Sequence, residues 1–302
     1  MVKIRFPKIN LSNTVFLVLA LLLFMLLALT YYSPPKPAYA SLDVKDLPNL
    51  FVEAAQGLNY STRLLSSALK GSPVNASSHI HRMGMVAALL INACELPELW
   101  SSELGEQLRE AAVSYAYAAS AAADIASAAD DISTARYELR EFLEGVRRCD
   151  FLKAHKGASV LERELQKALP DMHRALVNLA RVDNEALLSD SHKRIHHEAI
   201  KQVSQVAKAL ENLLIAAKLV QLTDVNALEK ACLMREPVNF SSDIIEVALK
   251  LKPGESGEFG YEVALLKSYV LSECEQCSGS NLNQNDKQGD SGAGWGEPGG
   301  DD

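Results

Sequence analysis

The chain has 302 residues and a formal net charge of −8, with 48% hydrophobic but only 6% aromatic residues. This length allows one large or two small domains, and the abundance of Ala and Leu favours helices over a β-sandwich or barrel. The negative charge, and the lack of a Lys/Arg run interleaved with aromatic residues, exclude a typical nucleic-acid-binding protein.

The first predicted element is a stretch of 19 residues without a charge, 14–32. A helix of this length spans about 28 Å, close to the thickness of the hydrocarbon layer of a membrane. Basic residues precede it and two tyrosines end it, which predicts a cytosolic segment 1–13, a signal-anchor helix 14–32 and a Pro-rich stalk 33–45. The protein is therefore expected to cross the membrane once, with its N-terminus cytosolic and the remainder lumenal or extracellular.

Cleavage after Ala40 is the alternative, because "PAYA" before Ser41 has the small-x-small pattern of a signal-peptidase site. Cleavage there would release a secreted protein. The apolar stretch is longer than the h-region of about 7–15 residues that signal peptides carry, so a retained anchor is favoured. Both alternatives place residues 41–302 outside the cytosol.

Two kinds of modification are expected in that location. Asn59, Asn75 and Asn239 each begin an Asn-x-Ser triplet, which predicts a glycoprotein. The five cysteines become candidates for disulfide bonds, because disulfides persist in oxidising compartments.

Residues 46–274 are predicted to form one helical domain. Asp46, Pro48 and Gly71 mark the start and end of a first helix, and a second is predicted over 77–94. The first helix has an apolar stripe with alternating spacings of four and three residues, formed by Leu47, Phe51, Ala54, Leu58, Ser61, Leu65 and Ala68.

The strongest periodic pattern extends over 104–146, where apolar residues again alternate at spacings of four and three with one polar break at Arg136. This pattern predicts a helix of about fifty residues with a coiled-coil seam. Gly157 is the predicted turn, after which an antiparallel segment returns along the first. The predicted fold is all-α, with an N-terminal membrane-spanning or signal segment followed by a helical bundle built on this long antiparallel coiled-coil-like hairpin.

The hairpin also predicts a disulfide. Cys149 lies near the turn, and Cys94 lies about 70–80 Å away at the opposite end. Cys232 follows the returning segment, so Cys94 and Cys232 are the preferred pair. Cys274 and Cys277 are candidates for a small local disulfide, half of a zinc site or a redox pair, although neither further zinc ligands nor the strand and helix that flank a redox motif are predicted.

Short helices are predicted over 224–234, 242–252 and 260–273. Beyond them, 275–302 is rich in Gly, Ser, Asn and Gln, with six acidic residues and one lysine. This composition predicts a disordered acidic tail.

No other stretch suggests chemistry more strongly than "SDSHKRIHHE", 189–198. His192 and His196 are four residues apart, which suits two ligands of one metal ion on a helix. However, counting outward from Gly157 places His192 beside Ala122 and turns His196 and His197 toward solvent. No third ligand is therefore predicted.

The sequence therefore predicts no enzyme, no catalytic residue, no cofactor and no small-molecule substrate. The favoured function is a non-enzymatic, membrane-tethered helical scaffold or protein-interaction ectodomain, with a protein partner or self-association. A secreted helical effector or ligand released after Ala40 is the alternative, and a metal-binding protein that uses His192 and His196 is less favoured.

Overall fold

The structure is a computed structural model that describes residues 43–235, 238–252 and 259–271. The predicted anchor 14–32, the pair Cys274 and Cys277 and the tail 275–302 lie outside these residues. No helix in the described ranges combines the length and apolar character needed to cross a membrane.

The prediction of an all-α fold is confirmed for the described residues, which form nine α-helices and no strand. Short helical turns lie at Val44–Asp46, Pro97–Trp100 and Lys230–Met234. The α-helices are α1 (Leu47–Leu69), α2 (Ser77–Ala93), α3 (Glu103–Thr134), α4 (Arg136–Arg148), α5 (Phe151–Ala180), α6 (Asp190–Leu222), α7 (Val225–Glu229), α8 (Ser242–Leu249) and α9 (Gly260–Leu271).

The first two helices have nearly the bounds that the sequence predicts. All seven residues of the predicted stripe of α1 are buried. Gly71 follows the end of α1 with a φ of +77°, in the left-handed region that glycine adopts readily.

Helix α3 is the centre of the bundle and packs against α1, α2 and α5. The predicted stripe is buried from Ala111 to Ile132, but Ala112, Ala119 and Ala126 on other faces are buried as well. Alanine side chains allow helix axes to approach closely, so neighbours can cover α3 on several sides. The predicted two-helix seam therefore describes only one of its interfaces.

The hairpin is present, but its turn is at Cys149–Asp150 and not at Gly157. Cys149 has a φ of +58°, and the Asp150 side chain accepts a hydrogen bond from the Lys153 N–H to begin α5. Gly157 instead lies inside α5, where a Cβ atom would be 2.9 Å from the Glu138 carbonyl oxygen. Glycine is needed here for close approach of α4 and α5.

The shifted turn changes the predicted pairing of the two legs. Asp124 of α3 accepts hydrogen bonds from Arg174 and Asn178 of α5, at 3.3 and 3.0 Å. The predicted pairing of Ala122 with His192 is therefore wrong by more than three helical turns.

A second reversal separates α5 from α6 at 181–189. Pro170 lies within α5 and does not end it. The Ser189 side chain begins α6 by accepting a hydrogen bond from the His192 N–H. Contacts of Glu162 with Gln221 and of His173 with Glu211 show that α5 and α6 are antiparallel.

This second reversal corrects the predicted disulfide. Helix α6 returns the chain to the end of the bundle where Cys149 lies, so Cys232 bonds to Cys149 rather than to Cys94. Their Cα atoms are 5.8 Å apart across a sequence separation of 83 residues. Cys94 is half-buried and is not part of a disulfide among the described residues.

Helices α8 and α9 lie at this same end of the bundle. Helix α9 packs against α4, α6 and α8. Glu262 of α9 forms an ion pair with Arg147 of α4, and the ring of Tyr269 meets that of Phe151 edge-on at a centroid distance of 6.0 Å.

Candidate functional site

The histidine-rich stretch 189–198 forms a joint between α6 and α3. His192 Nδ1 is 2.5 Å from the Tyr115 hydroxyl, which also accepts a hydrogen bond from the Leu188 N–H. The hydroxyl and Nδ1 thus share one hydrogen bond, whose donor is set by the tautomer of the imidazole. Burial lowers the pKa of His192, since the charged ring loses solvation there.

The second histidine does not face the solvent as predicted. His196 is only 7% exposed, and its Nε2 lies 2.9 Å from the Leu179 carbonyl oxygen, to which it donates. The reason is the second reversal, because α6 packs against α5 and turns this face inward. His197 is exposed, as expected.

The two histidines therefore act separately, on different neighbouring helices. His192 contacts α3 and His196 contacts the end of α5, so each ring has a structural partner of its own. Within 43–235, 238–252 and 259–271, no three His, Cys, Asp or Glu side chains converge on a point where a metal ion could bind.

The same joint holds the turn between α5 and α6. The Ser114 hydroxyl accepts a hydrogen bond of 3.2 Å from the Asp183 N–H. The hydroxyl of the next residue, Tyr115, accepts one from the Leu188 N–H, so two neighbouring residues of α3 hold this turn. Tyr115 is also stacked on Phe51 of α1 at 4.6 Å. The geometry is that of a structural clamp. The sequence analysis missed Tyr115 as a partner because it counted from the wrong turn.

A Ser–His pair, also missed from the sequence, lies between α1 and α2. Ser61 Oγ is 2.8 Å from His79 Nε2 and donates its proton to the Ala122 carbonyl oxygen at 2.7 Å. His79 must then donate to Ser61, which is the reverse of a base that activates a nucleophile. Ser61 is also fully buried. The pair ties α1, α2 and α3 together, and its hydroxyl is shielded from solvent.

Carboxylates accumulate where α3 faces α5. Burial, and then the charge of Asp171, raises the pKa of Asp131 to about 6. Burial also raises the pKa of Asp124, although Arg174 and Asn178 donate hydrogen bonds to it. Lys167 lies on the same face, where it pairs with Glu164. This face is stabilised by its cations, and its charge depends on pH.

An open cleft of about 630 Å³ lies along α4, between the end of α1 and the start of α5. We call it the basic cleft, because its charged lining consists of six cations and two carboxylates: Lys70, Arg136, Arg140, Arg147, Arg148 and Lys153, with Glu141 and Glu144. The sequence analysis treated Arg136 only as a break in the seam. The spacings of four and seven that place Arg136, Arg140 and Arg147 on one stripe were the available signal.

The predicted glycosylation sites have different surroundings. Asn75 and Asn239 are exposed and lie between helices. Asn59 is half-buried within α1 and lines a second groove, shared with α6, in which Arg63 and Arg194 also lie. Asn75 and Asn239 therefore offer the more accessible acceptors.

No protein-family model, curated protein or solved structure matches this chain. The function must therefore be argued from the residues and their geometry.

Proposed function

We propose that the chain is a non-enzymatic, membrane-tethered interaction domain that acts outside the cytosol. The disulfide between Cys149 and Cys232 is the observation that carries this proposal. Such bonds persist in the secretory pathway and outside the cell but are rare in the cytosol. The uncharged stretch 14–32 and the basic residues before it supply the tether.

The hydroxyl and imidazole groups inside the bundle favour interaction over catalysis. Ser61, Tyr115 and His196 are each buried and bonded to groups of the protein. Three clefts among the described residues are open grooves at the surface. A partner would therefore meet the outer faces of the helices.

If the protein self-associates, it must do so through a surface other than the predicted coiled-coil seam. Ala122, Ile125 and Ala129 of that seam are covered by helices of the same chain. We therefore place the contact with a partner, or with a second copy, on the outside of the bundle.

The location can be tested with the full chain, expressed in eukaryotic cells. We expect glycosidase-sensitive mass that decreases in Asn75→Gln and in Asn239→Gln, and Cys149 protected from thiol reagents until reduction. Asn10→Gln is the matched control, because the Asn10-Leu-Ser triplet precedes the anchor and would face the cytosol. A glycan on Asn10, or a reactive Cys149 in the native protein, would contradict the proposed topology.

Two further measurements test the tether and the interaction. Sequencing of the mature N-terminus distinguishes the anchor from release, since a start at Ser41 would replace the tethered function with the secreted one. Amine-directed cross-linking on intact membranes should give discrete species larger than the monomer. A monomer alone at all cross-linker concentrations would contradict the interaction.

A further inference from the structure

The basic cleft has a net excess of four positive charges in its lining. Part of this charge is neutralised locally. Lys153 pairs with Glu141 and Glu144, and Arg148 also pairs with Glu144. Arg147 is paired with Glu262 of α9. The two carboxylates of the lining are therefore fully used by cations at one end of the cleft.

Three cations at the other end have no such partner. Lys70, Arg136 and Arg140 are exposed and form no ion pair within the described part of the chain. Arg136 donates only to the Ser133 carbonyl oxygen. Arginine side chains in a row offer donors that match carboxylates in pairs. This end of the cleft therefore fits an anionic occupant.

The cleft is not only charged. Tyr137 is 56% exposed, and the guanidinium carbon of Arg140 is 5.9 Å from the centre of its ring. Leu69, Leu139 and Leu143 add apolar surface to the walls. The best complement is a peptide that carries carboxylates together with an aromatic side chain.

The chain itself supplies such a peptide. The segment 275–302 has six acidic residues and one lysine, and Trp295 lies between Asp290 and Glu297. Its 28 residues could extend to roughly 90 Å, far more than the distance along the 13-residue helix α4 requires.

The last described helix also packs beside the cleft. Helix α9, which precedes it, packs against α4. The ring of Tyr269 contacts Phe151, which lies two positions before Lys153 of the cleft. The tether of a few residues beyond Leu271 gives the acidic segment a high effective concentration at the cleft, on the order of millimolar.

We propose that residues 275–302 occupy the basic cleft of their own chain. Carboxylates of the segment lie opposite Lys70, Arg136 and Arg140, and Trp295 packs against Tyr137 and the guanidinium groups. The segment needs no secondary structure for this, since charge and one aromatic contact hold it.

Trp295 provides a direct measurement, because the chain has only two tryptophans. In the full-length Trp100→Phe variant, all tryptophan emission comes from Trp295. We expect its quenching by acrylamide to increase at least two-fold when NaCl is raised from about 0.02 to 0.5 M, because salt screens the ion pairs. The same increase should occur at low salt when Arg136→Glu and Arg140→Glu are added.

The matched control reverses two arginines in the groove between α1 and α6. Arg63→Glu and Arg194→Glu change the net charge by the same amount, and we expect them to leave the quenching of Trp295 unchanged. Arg136→Gln with Arg140→Gln provides a milder variant, and circular dichroism verifies that each variant keeps its helix content. Equal quenching in all of these proteins, or an equal increase in the control, would overturn the proposal.

A second readout does not depend on tryptophan. In a full-length variant, the six acidic residues of 275–302 are changed to amides, so that its own segment no longer occupies the cleft. A labelled peptide with the original sequence of 275–302 should then bind to the free cleft of this variant. The unmodified chain should bind it at least ten-fold more weakly. Equal affinity for both chains would contradict occupancy in cis, and quenching that depends on protein concentration would assign the segment to the cleft of a second copy instead.

Discussion

Tyr115 shows at the residue scale how polar groups hold the core together. Its ring is buried against Phe51, while its hydroxyl serves both the Leu188 N–H and His192 Nδ1. The Ser61 hydroxyl likewise forms hydrogen bonds with both His79 and the Ala122 carbonyl oxygen. Each hydroxyl joins two or three helices, which apolar contacts alone would leave free to slide.

The Tyr115→Phe variant should be destabilised by about 1–2 kcal/mol, since two partly buried partners lose their hydrogen bond while the ring remains. Denaturant unfolding followed by circular dichroism measures this. Tyr117→Phe is the control, because Tyr117 is only half-buried and contacts Arg181 through its ring face. Equal unfolding midpoints for the two variants would show that the hydroxyl of Tyr115 does not act as a clamp.

Asp131→Asn should stabilise the protein at pH 7. The folded state raises the pKa of Asp131 from 3.8 to about 6, so folding favours the protonated form, and the ionised carboxylate is destabilising above pH 6. This destabilisation decreases as the pH falls toward 4, because the carboxylate becomes protonated in the folded state. We expect a gain of roughly 1 kcal/mol at pH 7, reduced because the group is partly solvated, and almost none at pH 4.

Unfolding measured at both pH values tests the sign for Asp131. Asp130→Asn removes the same charge one residue away, where Asp130 instead accepts a hydrogen bond from the Ala76 N–H. This control should give no gain at pH 7. A gain for Asp131→Asn that is larger at pH 4 than at pH 7 would contradict the assigned direction.

Breaks between helices decide the packing at the scale of elements. The pattern over 104–146 predicts one continuous helix, yet α3 ends at Thr134 and α4 begins at Arg136, the polar break in the stripe. The turn at Cys149 lacks a glycine, although Cys149 adopts a left-handed φ of +58°. Gly157, which a sequence pattern favours as a stop, is instead a contact point between α4 and α5.

The Gly157→Ala variant tests this reassignment. A Cβ atom 2.9 Å from the Glu138 carbonyl oxygen should push α4 and α5 apart and cost about 1–3 kcal/mol. Gly84→Ala is the matched control, because nothing lies within 4 Å of a Cβ atom at that exposed helical position. Alanine there should stabilise the protein by about 0.5–1 kcal/mol. The melting temperature should therefore fall for Gly157→Ala and rise for Gly84→Ala, and stabilisation by both changes would contradict the close contact of Gly157 with Glu138.

Two reversals bring distant parts of the sequence to one end of the molecule. The turn at 149–150 and the turn at 181–189 give α3, α5 and α6 alternating directions. Cys149, Cys232 and α9 consequently lie together, beside the basic cleft. The disulfide joins the two ends of the segment that contains α5 and α6, and it holds the end of α6 near the start of α5.

Cys149→Ser should lower the free energy of unfolding by roughly 4 kcal/mol, as loop closure across 83 residues predicts for the unfolded chain. Cys232→Ser should have the same effect, and the double variant should add little to either. Cys94→Ser is the control, since that thiol forms no disulfide with another cysteine of the described residues. Denaturant unfolding of the oxidised protein measures these differences, and a loss for Cys94→Ser equal to that for Cys149→Ser would contradict the bond.

The all-α class and the inner faces of α1 and α3 could be predicted from the sequence because they depend on local periodicity. The stripe from Leu47 to Ala68 and the stripe from Ala111 to Ile132 are buried as expected. Apolar side chains at helical spacing must be covered by some neighbour, whatever that neighbour is. The spacing of His192 and His196 likewise places them near one another on a helix.

The neighbours themselves were decided only by the tertiary structure. The positions of the two reversals depend on contacts such as that of Gly157 with Glu138, which no local pattern records. The shift of the first turn from Gly157 to Cys149–Asp150, together with the second reversal, moved His192 from Ala122 to Tyr115. The second reversal also exchanged Cys94 for Cys149 as the partner of Cys232. The same reversals brought helix α9 against α4, which lines the basic cleft. Helix formation is local, whereas turn position, disulfide pairing and site composition follow from which packing of several helices is most stable.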